Sequence, residues 1–261
     1  MTALLLAAAL GIGQGPAASV VNAQVETRHA AQTIEREVAA LASRQDDRWV
    51  AYRVPARGRR SFECSERSRI TLEPSHELIV LARLAAGRVA RLRTTTPDCE
   101  IDAGGLPVVW LDGVGADDSA TWLASLLNAP ATIEWSNQVA RPALIALGVH
   151  DGDVATRALV TTARDHQNSK MRSDALFWLG QRAGNEAAAT IAEAIDRDPE
   201  TDVKRRAVFA LSQLPKDEGV PKLIDVARSN RNPAVRRQAM FWLGQSNDPR
   251  ALKFFEEILL K

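Results

Sequence analysis

The stretch Val235–Gln245 reads VRRQAMFWLGQ, and it overlays three earlier stretches without a gap. These are Val139–Val149 (VARPALIALGV), Met171–Gln181 (MRSDALFWLGQ) and Val203–Gln213 (VKRRAVFALSQ). Ala143, Ala175, Ala207 and Ala239 coincide at a spacing of 32, as do Leu147, Leu179, Leu211 and Leu243. A second apolar set keeps the same frame: Leu159, Ile191, Leu223 and Phe255, then Ala163, Ile195, Ala227 and Leu259. Two helices of about 12 residues with short turns use up such a period. A helix pair of that size cannot bury its apolar stripe alone, so neighbours must stack. Residues 137–261 are therefore expected to form a solenoid of about four two-helix repeats.

Punctuation fits this reading. Gly148, Gly180 and Gly244 stand where a helix C-terminus favours a left-handed residue. Asp198-Pro199, Asn232-Pro233 and Asp248-Pro249 mark turns and helix starts. The pattern V-[KR]-x-x-A-x-x-x-L-G with Asp-Pro turns resembles HEAT repeats of the short bacterial kind, also called HEAT-like or phycobilin-lyase-type repeats. Two positions depart from it: Pro142 stands inside the first copy's helix start, and Ser212 replaces Gly in the third. The resemblance implies a superhelical fold, but such repeats serve many tasks, so it assigns no activity.

The upstream half has a different texture. Leu4–Ile12 is an apolar run of leader length, with Val21-Asn22-Ala23 suited to cleavage before Gln24, although no Lys or Arg precedes the run. Residues 1–23 are thus expected to be a signal peptide. With no Cys just after that point, no lipid anchor is indicated. Residues 24–45 place Val25, Ala30, Ala31, Ile34, Val38 and Leu41 at amphipathic-helix spacing. Residues 46–115 read as a small β-rich domain. Trp49–Pro55 alternates, Leu78–Leu84 and Arg88–Thr94 form a hairpin over Ala-Ala-Gly, and Pro107–Leu111 is a further strand. Residues 116–136 supply a capping helix and connection, Leu127 falling 32 before Leu159. The expected fold class is α+β: a small β-rich domain followed by an all-α HEAT-like solenoid.

Composition narrows the functional classes. The 33 basic and 32 acidic residues leave a net charge of +1, which gives no global field for nucleic acid or an anionic membrane. The two cysteines, Cys64 and Cys99, lack CxxC spacing, so zinc binding and thioredoxin chemistry are disfavoured. Export would make a Cys64–Cys99 disulfide reasonable. Helical-repeat hydroxylases bind iron through His-Glu pairs in successive repeats. Here the single such pair, His76-Glu77, lies in the β region. The His150-Asp151-x-Asp153 cluster reads as a solvated polar turn. No phosphate loop or G-x-S-x-G is present, and no chromophore pocket is indicated. No catalytic residue, metal site or cofactor is assigned.

One surface feature remains. With Ala175 at the centre of the buried stripe, Met171, Trp178 and Leu179 fall within about 60° of it, whereas Phe177 lies about 200° round the helix. Ile145, Phe209 and Phe241 are its equivalents. Arg141, Arg205 and Arg237 stand four residues before this column, and Gln181, Gln213 and Gln245 four after. Either the Phe column packs between neighbouring repeats, or Phe177, Phe209 and Phe241 with Arg205, Arg237 and the three glutamines form an exposed protein-binding stripe. Trp110 and Trp122 are expected to pack the interface between β domain and solenoid. The leading expectation is a non-enzymatic scaffold binding a protein or peptide partner in the bacterial periplasm or envelope, without nucleic acid and without a membrane span in the mature chain. An enzyme or accessory lyase using a groove at the domain junction, and a purely structural module, are the alternatives.

Overall fold

The structure is a computed structural model and describes residues 18–57, 76–128, 132–182 and 184–260. The first part comprises β1 (Val20–Val21), β2 (Val25–His29), α1 (Ile34–Ala42), β3 (Arg48–Pro55), β4 (Glu77–Ala85), β5 (Arg88–Thr95), β6 (Ile101–Asp102), β7 (Val108–Asp112) and α2 (Ala116–Ser125). Five strands make one sheet in the order β2-β7-β3-β4-β5. It is parallel across β2, β7 and β3 and antiparallel from β3 to β5. The hairpin between β4 and β5 turns on Ala86 and Gly87, both left-handed at φ 49° and 73°. That conformation matches the twist of the flanking strands.

Period-two alternation sorts the side chains onto two faces. Val50, Tyr52, Val54, Val80 and Leu111 face the helices, while Ala51, Ile79, Leu81, Val108 and Trp110 line the opposite face. Trp122 joins the helix-side core, edge-on to Tyr52 with ring centroids 6.1 Å apart. Trp110 does not: it sits on the face away from the solenoid, because its odd register in β7 points it there.

One reading of the N-terminal segment changes. Residues 24–45 are not one helix. Val25–His29 pairs with β7 as a parallel edge strand, and only Ile34, Val38 and Leu41 carry the helical stripe onto the sheet. The apolar spacing from Val25 to Ala31 imitated a helix over barely two turns. The buried Glu37 fixes the strand-to-helix corner, accepting from the Ala31 N–H at 2.9 Å and pairing with Arg28 at 2.7 Å. Burial pushes its carboxyl up, but the hydrogen bonds from Ala31 and Arg28 outweigh this and hold it below its ordinary value. The expected leader runs to Ala23, whereas Val20–Val21 pairs with β6, and Ala18, Val20 and Ala23 pack on the outer face of the sheet. The small apolar residues that suit a cleavage site equally suit a buried edge. The apolar run Leu4–Ile12 lies outside the described residues.

The second part is helical: α3 (Ile133–Trp135), a π-helical turn (Ser136–Ala140), α4 (Arg141–Val149), α5 (Asp153–Asp165), α6 (Ser169–Gly180), α7 (Asn185–Arg197), α8 (Thr201–Ser212), α9 (Lys216–Ser229), α10 (Pro233–Gln245) and α11 (Pro249–Leu259). The π turn ends two residues before Pro142, which has no N–H to give to a regular helix. The first helices α4, α6, α8 and α10 stack in series, each followed by its second helix. Ala143, Ala175, Ala207 and Ala239 are all fully buried at the contacts. Leu147, Leu179, Leu211 and Leu243 lie beside them, each contributing about 1.5–3 kcal/mol by burial. Helix α2 lies against α4 and α5, as α5 lies against α6 and α7 and α9 against α10 and α11. One apolar core then runs unbroken from α1 and the sheet to Phe254.

The turn chemistry repeats as well. His166, Asp198 and Asn230, 32 apart, each accept from the N–H two residues on, at 3.0, 2.9 and 3.0 Å. Arg172 and Arg236 donate to the carbonyls of the same turns. Arg172 also grips Asp198 in a buried bidentate pair at 2.7 and 3.1 Å.

The repeat glycines act differently from expectation. Gly148, Gly180 and Gly244 are right-handed and lie within their helices. At Gly148 the Trp178 ring occupies the place of a side chain. At Gly180 a Cβ would come 2.6 Å from the Ala210 carbonyl oxygen. Their role is close approach of the next first helix. Beside Gly244 the space is open.

These two environments make opposite predictions. Gly180→Ala should destabilise by about 1–3 kcal/mol through overpacking. Gly244→Ala should be neutral or stabilise by up to about 1 kcal/mol, since Ala favours a helix where space allows. Chemical denaturation of the two variants measures the difference, and equal effects would refute the packing role.

Candidate functional site: an aromatic and cationic stripe

The column opposite the buried alanines faces outward. Ile145 is 38% exposed, Phe177 and Phe209 are half-buried, and Phe241 is 54% exposed. The Phe177 and Phe209 rings stack 6.1 Å apart with an interplanar angle of 6°. The Arg206 guanidinium lies over both, 5.1 and 5.0 Å from the centroids. Trp242 continues the ladder, 4.9 Å from Phe209 and 5.0 Å from Phe241. The structure therefore brings Phe177, Phe209 and Phe241 into one continuous strip, with packing between repeats at its start and exposure at its end.

Its polar border differs in part from the sequence reading. Arg205 reaches Asp202 and Gln238, both at 3.5 Å, and does not cover a ring. The ring-covering residue is Arg206, one position further round the helix. Arg237 is exposed and meets no acidic side chain among the described residues. Gln181 is half-buried at the end of α6. Gln213 donates to Ser212 at 3.2 Å, and with Gln245 it lines a cavity of about 200 Å³. Leu214 and Leu223 form the cavity's apolar lining, and Trp242 is shared between cavity and ladder. The role of Trp242 was missed because helical spacing alone places it on the buried side. Chemically, the strip offers aromatic faces, guanidinium donors and carboxamides.

A second polar cluster lies where the sheet meets the solenoid. The end of β3 pairs with the turn after α4: Arg57 N–H donates to Val149 O at 2.8 Å, Asp151 N–H to Pro55 O at 3.2 Å, and Ala56 bridges His150. His150 is consequently fully buried rather than in a solvated turn, with Nδ1 2.7 Å from Asp151 O and no partner for Nε2 among the described residues. Burial lowers its pKa from the ordinary 6.5. The Arg182 charge adds to this, while Asp151 and Asp117 oppose it. Arg182, one repeat on, donates to Leu147 O and Thr156 Oγ1 at 2.6 Å and to His150 O, capping the end of α4. Burial, reinforced by Arg57, pushes its guanidinium down to about 10, still cationic at neutral pH.

Cys99 is disulfide-bonded, and Cys64, the other cysteine of the chain, lies outside the described residues. Among the described residues no His, Cys, Asp and Glu side chains converge as a metal site, and no helix is long and apolar enough to cross a membrane.

Residues 188–261 match the family model described as HEAT repeats. Among solved structures, human deoxyhypusine hydroxylase in complex with glycerol is similar at 20% identity and a TM-score of 0.41, over 49% of this chain and 43% of that one. The CpcE–CpcF complex of phycocyanin lyase from Nostoc sp. is similar at 18% identity and a TM-score of 0.40, over 55% of this chain and 89% of that one. The chain thus spans less than half the length of the hydroxylase it matches. No curated protein matches it by sequence.

Two measurements follow from the buried groups. Because folded His150 takes up a proton less readily than free imidazole, the unfolded chain gains protons first as pH falls below about 6.5, and stability declines through that window. Urea midpoints should drop from pH 7.5 to 5.5, and by less in His150→Gln; an identical drop in that variant would remove His150 as the cause. Denatured, unreduced protein should show no reactive thiol and, after reduction, two.

Proposed function

We propose that the chain is a non-enzymatic HEAT-like scaffold that binds a protein partner through the aromatic and cationic stripe. The observation that carries this reading is the strip's outward end, where Phe241 is more than half exposed beside the uncompensated Arg237. Large aromatic and guanidinium groups contribute most per residue when a partner covers them. An exported, envelope location is part of the proposal. It is supported by the apolar run Leu4–Ile12 and by the disulfide at Cys99, a bond favoured in oxidising compartments. A purely structural reading draws on the Phe177–Phe209 stack, which ties α6 to α8.

Phe209→Ala and Phe241→Ala separate these readings. The half-buried Phe209 should cost about 1–3 kcal/mol, and Phe241 less than about 1 kcal/mol. Tagged full-length protein is used to recover partners from envelope extracts. Phe241→Ala should lose the recovered protein while its Tm stays near wild type. Full recovery by Phe241→Ala would sink the binding role of the stripe.

A further inference from the structure

We infer that the stripe recognises a short extended acidic peptide segment whose apolar side chain, three or four residues from its carboxylates, seats in the Trp242 cavity. The inference rests on the stripe being the binding face proposed above.

The charge pattern is the first ground. On the first helices, the early cation is neutralised by an acid on the next first helix: Arg141 meets Asp174 at 3.1 Å. The register position of Asp174 is then filled by Arg206 and Gln238, so this acid is missing in the last two repeats. Lys204 and Arg236 turn back onto the carbonyls of Asp196 and Asn230. Among the described residues, that leaves Arg205, Arg206 and Arg237 on the outer face, opposed only by Asp202 at 3.5 Å with its side chain 92% exposed. On a chain of net charge +1, this is a local excess that an outside carboxylate would complete.

Geometry supplies the spacing. From Arg205 to Gln213 is eight helical residues, roughly 12 Å at 1.5 Å per residue. An extended chain covers that in about four residues. At the far end the cavity presents Trp242, Leu214 and Leu223 to an apolar side chain, and Gln213 and Gln245 flank it. A carboxamide donates and accepts at once, so these two can pair with both N–H and C=O of a peptide backbone. Polarity is set as well. Asp217 and Glu218 follow Lys216 at the cavity's edge, so a carboxylate is repelled there and directed to the arginine end.

The test is selection of a random peptide library on the full-length chain. Enriched peptides should carry Asp or Glu three or four residues from Leu, Phe or Trp. Binding of a selected peptide should weaken at least about tenfold in Arg205→Glu/Arg237→Glu, since the charge-assisted hydrogen bonds to its carboxylates are lost and replaced by repulsion. It should weaken similarly in Gln245→Trp, which fills the mouth of the cavity, while single-stranded DNA should not compete. These three positions are exposed, so the fold should persist, as Tm will verify. No enrichment, enrichment without acids, or unchanged affinity after charge reversal overturns the inference. Equal competition by DNA overturns it in favour of nucleic acid. If Phe241→Ala abolishes binding but charge reversal does not, the stripe survives and only the acidic recognition fails. If neither variant matters, the binding face itself is wrong.

Discussion

The distance at which one first helix can approach the next governs the rest of this structure. Ala at the centre of each first helix, and Gly near the ends of α4 and α6, remove the side chains that would hold the helices apart. Packing densities in protein interiors leave no slack for a misfit here. Once the approach is fixed, the rise from repeat to repeat follows. So does the alignment of every outward residue into a column: the phenylalanines, their arginines and the glutamines all inherit their spacing from small residues they never touch. The aromatic strip is a by-product of core packing.

The sheet enters the same arithmetic from the other end. Its helix-side face supplies the surface that the first repeat would otherwise leave bare, and α2 takes the place of a preceding second helix against α4 and α5. A guanidinium secures the junction: Arg182 binds the carbonyl end of α4 while the tail of β3 covers His150. Among the described residues neither group grips a carboxylate, and most of their bonds go to main-chain carbonyls. These are positioning tasks, which stiffen the junction between sheet and helices.

Legibility in the sequence followed the range over which each signal acts. The solenoid could be read because Ala and Leu recur in a fixed frame, and four copies of a local pattern reinforce one another. The hairpin across Ala86 and Gly87 was equally local. The strand at Val25–His29 was not, since its partner is β7, some eighty residues later, and no local period reports a parallel pairing. The shared turn role of His166, Asp198 and Asn230 escaped because three residue types perform it. For the stripe, spacing placed Phe177, Phe209 and Phe241 together, but it chose Arg205 over Arg206 and sent Trp242 inward. A helical wheel gives direction and omits reach, and long side chains such as Arg and Trp bend across the column.

The continuous core has one more consequence. Repeat arrays behave as a chain of nearest-neighbour couplings, so stability varies along the axis. In this molecule the early repeats are clamped between the sheet and later helices, whereas α10 and α11 have a described neighbour on one side only. Among the described residues, Phe241 and Trp242 therefore sit in the helix pair with the fewest packed neighbours, where local opening is easiest. A ligand gripping that end would bind the ordered form alone and stiffen it. Occupancy would thus be written into the rigidity of the last repeat, and any change in that rigidity would in turn set the affinity.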